Sequence, residues 1–173
     1  IEKSMPDSVD RILAQWATVR PNLDVSAMGI LGRLSRLTRL LERAQSDVFD
    51  AHGLHAGEFD ILATLLRTDA GPRGLTAGAL SDSAMVTSGA ITNRLDRLVA
   101  KGLISREIDP ENRRTVRVAL TAAGAEVIEG ALVAHVENEE RLLSSMAPSG
   151  RKQLANLLSG LLSTHESSDG QTN

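Results

Sequence analysis

Cysteine is absent from the 173 residues of this chain, which excludes a disulfide framework, a thiolate metal site and a cysteine-based peroxide sensor. No apolar run approaches the length of a membrane span and no secretory segment is evident, so a cytoplasmic protein without membrane contact is expected. The residue sets that announce catalysis are missing too: no Ser-His-Asp-like arrangement, no paired carboxylates in an apolar setting, no phosphate-cradling glycine loop. Neither catalytic residues nor a cofactor is therefore expected. The spacing of His52, His55 and Glu58 would allow a metal, but without cysteine and with only two histidines nearby none is expected. Positive charge is also in deficit, the total being −3, which over the whole chain argues against a nucleic-acid binder.

The distribution of charge reverses that argument. Val86 to Arg117 holds seven basic residues (Arg94, Arg97, Lys101, Arg106, Arg113, Arg114, Arg117) against four acidic ones (Asp96, Glu107, Asp109, Glu111), so this segment carries +3 and the remainder −6. A basic patch on an acidic body suits directed phosphate binding without general stickiness. A solvated charged hairpin is the plainer alternative.

The same segment has a definite shape. Thr87 or Ser88 can cap a helix and Gly102 suits the left-handed residue that closes it. Ile91, Leu95 and Leu98 make one buried stripe at about 100° per residue, leaving Gly89, Asn93, Asp96 and Arg97 on the other side. Ile104 and Ile108 alternate with polar neighbours, as do Val116, Val118 and Leu120, and residues 110–114 form a turn between them. The expected product is a helix followed by a two-stranded hairpin with an apolar underside and a cationic tip. Such a helix fits a major groove, where Asn93 suits adenine and Arg97 suits guanine or phosphate, while Arg113 and Arg114 on the hairpin can enter the minor groove.

Helices flank this core. Asp7 or Ser8 caps a first helix that Pro21 ends, with Val9, Ile12, Leu13 and Trp16 on one face. A second runs from about Ser26 to Ala51, with Gly53 after it; its Arg33, Arg36, Arg39 and Arg43 read as a wet face ahead of a second phosphate contact. A third follows His55, a weak cap ahead of Glu58, and buries Phe59, Leu62, Ala63 and Leu66 until Gly71 and Pro72 break it. Thr76 starts a short helix through Leu80 that braces the next. Thr121 opens a sixth helix to about Met146, Pro148 marks its end, and Ser149 caps a last helix rich in leucine. The leucines outnumber what one small module can hide, so a homodimer through the terminal helices is expected. From Ser167 the tail is expected to be disordered.

Asp96-Arg97-Leu98, Gly102-Leu103-Ile104, Asp109-Pro110, Arg113-Arg114, Val116, Val118, Leu120-Thr121 and Gly124 together resemble the winged helix-turn-helix of MarR-type transcriptional regulators. The family usually has an aspartate two residues before the wing arginine, and Asn112 stands there instead. The resemblance implies a mainly α fold with a small β-hairpin wing: N-terminal helices over 1–53, a winged helix-turn-helix over 54–121, C-terminal dimerisation helices over 122–166 and a tail over 167–173. It implies a dimer on double-stranded DNA, contacting a near-palindromic operator through Thr87, Ser88, Gly89, Ala90, Asn93, Arg97, Arg113 and Arg114.

Three charged residues are oddly placed. Arg94 projects about 70° from the apolar stripe of its helix, Arg106 shares a strand face with Ile104 and Ile108 and so turns toward the protein body, and Asp60 is a plausible internal partner. Half-buried guanidiniums need such partners, or a bound anion. With Gln15-Trp16, Arg20-Pro21 and Glu58-Phe59-Asp60, this pattern is similar to the PecS-type, urate-responsive branch of the family. By position, the resemblance implies a flat, anionic, urate-like ligand held by Trp16, Asp60, Arg94 and Arg106. Trp16 as a packing anchor, Asp60 paired along its own helix and Arg94 as one more phosphate contact remain open, as does a DNA-binding or architectural protein without an effector.

Overall fold

A computed structural model describes residues 5–68, 73–83 and 88–169, except the side chains at 81, 82, 88–90, 168 and 169. Its elements run α1 Ser8–Val19, α2 Ser26–Ala51, α3 Ala56–Arg67, β1 Leu75–Thr76, α4 Ala77–Ser83, α5 Ser88–Ala100, β2 Ile104–Ile108, β3 Val116–Leu120, α6 Ala122–Leu142 and α7 Pro148–Asp169. The fold is mainly α with a small antiparallel sheet, in strand order β1-β3-β2.

Local chemistry explains most of the boundaries. Asp7 caps α1 by accepting the N–H groups of Val9 and Asp10 at 2.7 and 2.9 Å, satisfying donors that the first turn leaves free. Arg33 of α2 then bonds both Asp7 and Asp10, at 2.8 and 2.6 Å, clamping the start of α1 onto α2. At the far end of α5, Gly102 takes a left-handed φ of 69°. Its N–H bonds Val99 O and that of Leu103 bonds Leu98 O, the paired closure that frees the chain to turn into β2. Thr121 caps α6 through the Gly124 N–H at 3.0 Å and donates its hydroxyl to Gly102 O at 2.7 Å, so one residue joins the start of α6 to the end of α5.

One core lies under the winged region. Leu54, Ile61, Leu62, Leu80, Leu98 and Ile128 are fully enclosed, with Phe59, Ile91, Leu95, Ile104 and Val118 nearly so. Phe49 of α2 stacks on Phe59 with ring centroids 4.3 Å apart, carrying the long helix into this core. The terminal helices are different: Ile30, Leu31, Leu37 and Leu40 of α2 and Leu157, Leu161 and Leu162 of α7 all face solvent in the single chain.

Several expectations need correction. The sheet has three strands, because Leu75 and Thr76 pair with Val118 and Arg117; two residues are too few to leave a periodic signal. Only the root of the hairpin has a buried underside, since Ile104 and Val118 are buried while Ile108 and Val116 are 64% and 42% exposed. Helix α6 stops at Leu142, not Met146, and Pro148 opens α7 instead of ending α6. Proline suits a first helical position, where its missing N–H costs no bond. Helix α7 runs on to Asp169, with Ser167 Oγ donating to Ser163 O at 2.8 Å, so the expected tail is helical over residues 167–169; 170–173 lie outside the described residues.

Candidate nucleic-acid interface and effector cluster

The apolar stripe of α5 packs as its spacing requires, with Ile91, Leu95 and Leu98 only 4%, 3% and 0% exposed. That rotation leaves Thr92, Asn93 and Asp96 in solvent. Thr87 lies outside the described residues, and so do the side chains of Ser88 and Ala90, although residues 88–90 form the first turn of α5.

Arg97 is on the exposed side but is not unengaged. Its Nε lies 3.2 Å from Oε1 of Glu58, whose side chain is wholly buried. Glu58 Oε2 accepts from Lys101 Nζ at 2.7 Å and from the His55 N–H at 3.0 Å. Lys101 also donates to Gly53 O at 2.8 Å. The end of α2, the start of α3 and the last turns of α5 therefore meet on one carboxylate. Burial alone would push that carboxyl up, but the Lys101 ammonium and the His55 N–H hold it below the ordinary glutamate range. The capping bond expected between Glu58 and the start of α3 is present, from the His55 N–H; the burial of Glu58 between two cations carries no sequence signature.

The wing projects beyond the buried part of the sheet. Arg113 and Arg114 are exposed and pair with no acidic residue among the described residues. Asn112 Oδ1 accepts the backbone N–H of Arg114 at 3.1 Å, so it shapes the turn without holding the guanidinium. Asp109 and Arg117 behave otherwise than the rest of the charged hairpin: Asp109 is 6% exposed and takes Arg117 Nε at 2.5 Å. The Glu111 N–H and then the Arg117 guanidinium keep the Asp109 carboxyl below the usual aspartate range. Arg117 therefore counts toward internal pairing, not toward the exposed basic patch.

Of the four expected ligand residues, two come together. The Arg94 guanidinium lies over Gly57 of α3, so close that a Cβ there would sit 2.3 Å from its Cζ. Its Nη1 is buried without a hydrogen-bond partner. Asp60 is half-buried, and burial pushes its carboxyl above the ordinary aspartate range against the attraction of Arg94, Arg67 and His135. His135 of α6 packs its ring 5.0 Å from Phe59 and 5.3 Å from Phe49, and its Nδ1 is also buried and unpartnered. The hydroxyl of Thr64 bonds the Asp60 carbonyl, not its carboxylate. Arg67 goes to the carbonyl of Ser83.

Arg106 and Trp16 stand apart from that pair. Arg106 is exposed and reaches across to α5, with Asp96 Oδ1 at 2.6 Å and Thr92 O at 3.4 Å as partners, which ties β2 to α5. Trp16 is 37% exposed on α1, a helix that packs on α2. The metal alternative dissolves into protein contacts: Glu58 is closed by its cations, and His52 Nδ1 is bonded to Val48 O at 2.9 Å.

A short helix, a second helix with a wet face, and a three-stranded sheet ending in a cationic hairpin define the winged helix-turn-helix class of DNA-binding proteins. Comparison with known proteins narrows this. The MarR family model matches residues 54–116. The chain is 39% identical over 150 residues to the HTH-type transcriptional regulator PecS of Dickeya dadantii, covering 87% of this chain and 90% of that protein. Among solved structures, a MarR mutant from E. coli complexed with operator DNA is similar with a TM-score of 0.67 and 25% identity, over 85% of this chain and 97% of that one. The S. aureus MepR–DNA complex has the same fold, with a TM-score of 0.68 at 20% identity over 83% of this chain and 99% of that one. The chain belongs to the MarR family: it is a DNA-binding transcriptional regulator, not an enzyme.

Proposed function

We propose that this regulator acts as a homodimer on a near-palindromic operator, represses transcription from it, and is released by a small anionic ligand of the urate type. The carrying observation is the division of α5 into a buried apolar stripe and an exposed polar side bearing Asn93 and Arg97, beside a wing whose Arg113 and Arg114 are exposed. In this reading Thr87, Ser88, Gly89, Ala90, Asn93 and Arg97 meet the major groove and the two wing arginines the minor groove. The apolar side chains exposed on α1, α2 and α7 support dimerisation; burying them between copies would remove an unfavourable contact with water. Two recognition helices related by a two-fold axis would read half-sites about one helical turn apart, roughly 10 base pairs.

Asp60 and Arg94 support the ligand reading, because a half-buried carboxyl and a guanidinium nitrogen without a partner form an arrangement that an added group could complete. An anion on Arg94 would act directly on the DNA-reading helix, and binding better to the DNA-free arrangement would release the operator. Trp16 and Arg106 would join only after rearrangement or dimerisation. A second reading, a regulator without an effector, is favoured by the existing Arg106–Asp96 ion pair, which already satisfies one of the expected ligand arginines.

The test is a gel-shift titration of the protein on its own upstream DNA, with urate and related purines added. Release at stoichiometric sites, blunted by Trp16→Ala and Arg94→Ala, supports the ligand reading. Undiminished binding at saturating purine supports the second.

A further inference from the structure

We propose that Asp109 and Arg117 are positioning residues for operator binding: they brace the wing against the bend that precedes α4, and so aim Arg113 and Arg114 without touching DNA themselves. Asp109 sits where β2 gives way to the tip. One carboxylate oxygen accepts the Glu111 N–H at 2.9 Å and the other takes Arg117 Nε at 2.5 Å. Its backbone is used as well, its N–H bonding Thr115 O and its carbonyl accepting from Asn112. Both sides of the turn therefore converge on this residue.

Arg117 carries the constraint outward from the hairpin. While Nε holds Asp109, Nη1 reaches the carbonyl of Gly74 at 3.4 Å. Gly74 is the bend before β1, with φ of 62°, and a Cβ there would lie 2.0 Å from Val118 O. The backbone of β3 and this bend are in direct contact, so the guanidinium spans from the wing's tip-proximal turn to the packed entrance of the helix-turn-helix. A two-stranded ribbon twists readily on its own; a third tie limits how far its tip can swing. Asn112 makes this tie more important, because it holds only the Arg114 N–H and leaves that guanidinium to be aimed by the root of the wing.

Contact and positioning leave different marks on salt dependence. A lost phosphate contact lowers the slope of log K against log salt by about 0.9, whereas a misaimed wing weakens binding through geometry. The probe is a duplex selected from a random-sequence library by the wild-type protein. Asp109→Asn and Arg117→Gln should each weaken binding roughly tenfold, with the slope unchanged and the double variant no worse than either single. Arg114→Ala should instead lower the slope by about 0.9 per wing. Trypsin should cut after Arg113 and Arg114 faster in Asp109→Asn than in wild type at a temperature where both are folded. Arg117→Lys, which keeps the charge but not the two-armed reach, should lose part of the affinity and keep the slope. A fall in slope for Arg117→Gln, wild-type affinity for Arg117→Lys, or additivity in the double variant would each overturn the proposal. Should Asp109→Asn not fold, the two Arg117 variants decide alone.

Discussion

Glu58 and Asp60 are two residues apart on α3, and each faces cations of α5, yet they end in opposite electrostatic conditions. Glu58 is fully buried and bonded by Lys101 and the His55 N–H, with Arg97 beside it. Asp60 is only half-buried and accepts no hydrogen bond on its carboxylate among the described residues; Arg94 attracts it without reaching it. The difference teaches that burial does not decide how a carboxylate behaves, because desolvation raises both carboxyls and only one receives donors close enough to reverse it. Glu58 consequently reads as a fastening between three helices, and Asp60 as part of an arrangement left open.

The largest expected effect is on folding. Glu58→Ala leaves Lys101 and Arg97 beside an emptied pocket and should lower stability by about 3 kcal/mol, measured by urea denaturation. Asp60→Asn should change it by less than about 1 kcal/mol. Equal losses at the two positions would erase the contrast.

Acidity should separate the same pair by sign. Glu58 is held below its unfolded value, so its contribution is complete above the ordinary glutamate range and is lost as pH falls through the lower folded value. Asp60 is raised in the fold, so its contribution is complete below the ordinary aspartate range and is lost as pH climbs through the higher folded value. Stability curves of Glu58→Gln and Asp60→Asn, each subtracted from wild type between acid and neutral pH, should therefore slope in opposite directions. Parallel curves would show that both carboxylates share one environment.

A smaller effect tests the open side of the comparison. Gly57→Ala places a methyl group where the Arg94 guanidinium now lies, and alanine is the better helix former by up to about 1 kcal/mol. Stability should be nearly unchanged while Arg94 is displaced, and carboxyl NMR should show Asp60 titrating higher than in wild type once that attraction is lost. An unmoved Asp60 titration would detach Arg94 from it.

Much of this was legible along the chain. Gly53 and Gly102 mark the ends of α2 and α5 because a left-handed residue closes a helix at low cost. The stripe Ile91, Leu95, Leu98 gave the right face of α5, since local periodicity decides which side of an element is apolar, whereas the alternation in β2 and β3 held only at the root, at Ile104 and Val118. The pleat put Arg106 on the face beside α5, where it stays exposed. Its partner, Asp96 on the preceding helix, was not named, because strand alternation fixes a direction and says nothing of what waits there. Pro148 was misread for a related reason: the same missing N–H that stops a helix also suits its first turn.

What the sequence determined by itself were properties carried by neighbouring residues: helix stripes, caps, the cationic turn, the lack of thiol chemistry, and the spacing that resembles the winged family. Only the tertiary structure decided which charges are spent inside the protein. Glu58 meets Lys101, Asp109 meets Arg117, and Arg94 lies over Gly57 because separate elements pack face to face. Ion pairing depends on distances of a few ångströms between such elements, and those distances are set by how the core closes, which no single stretch of chain encodes.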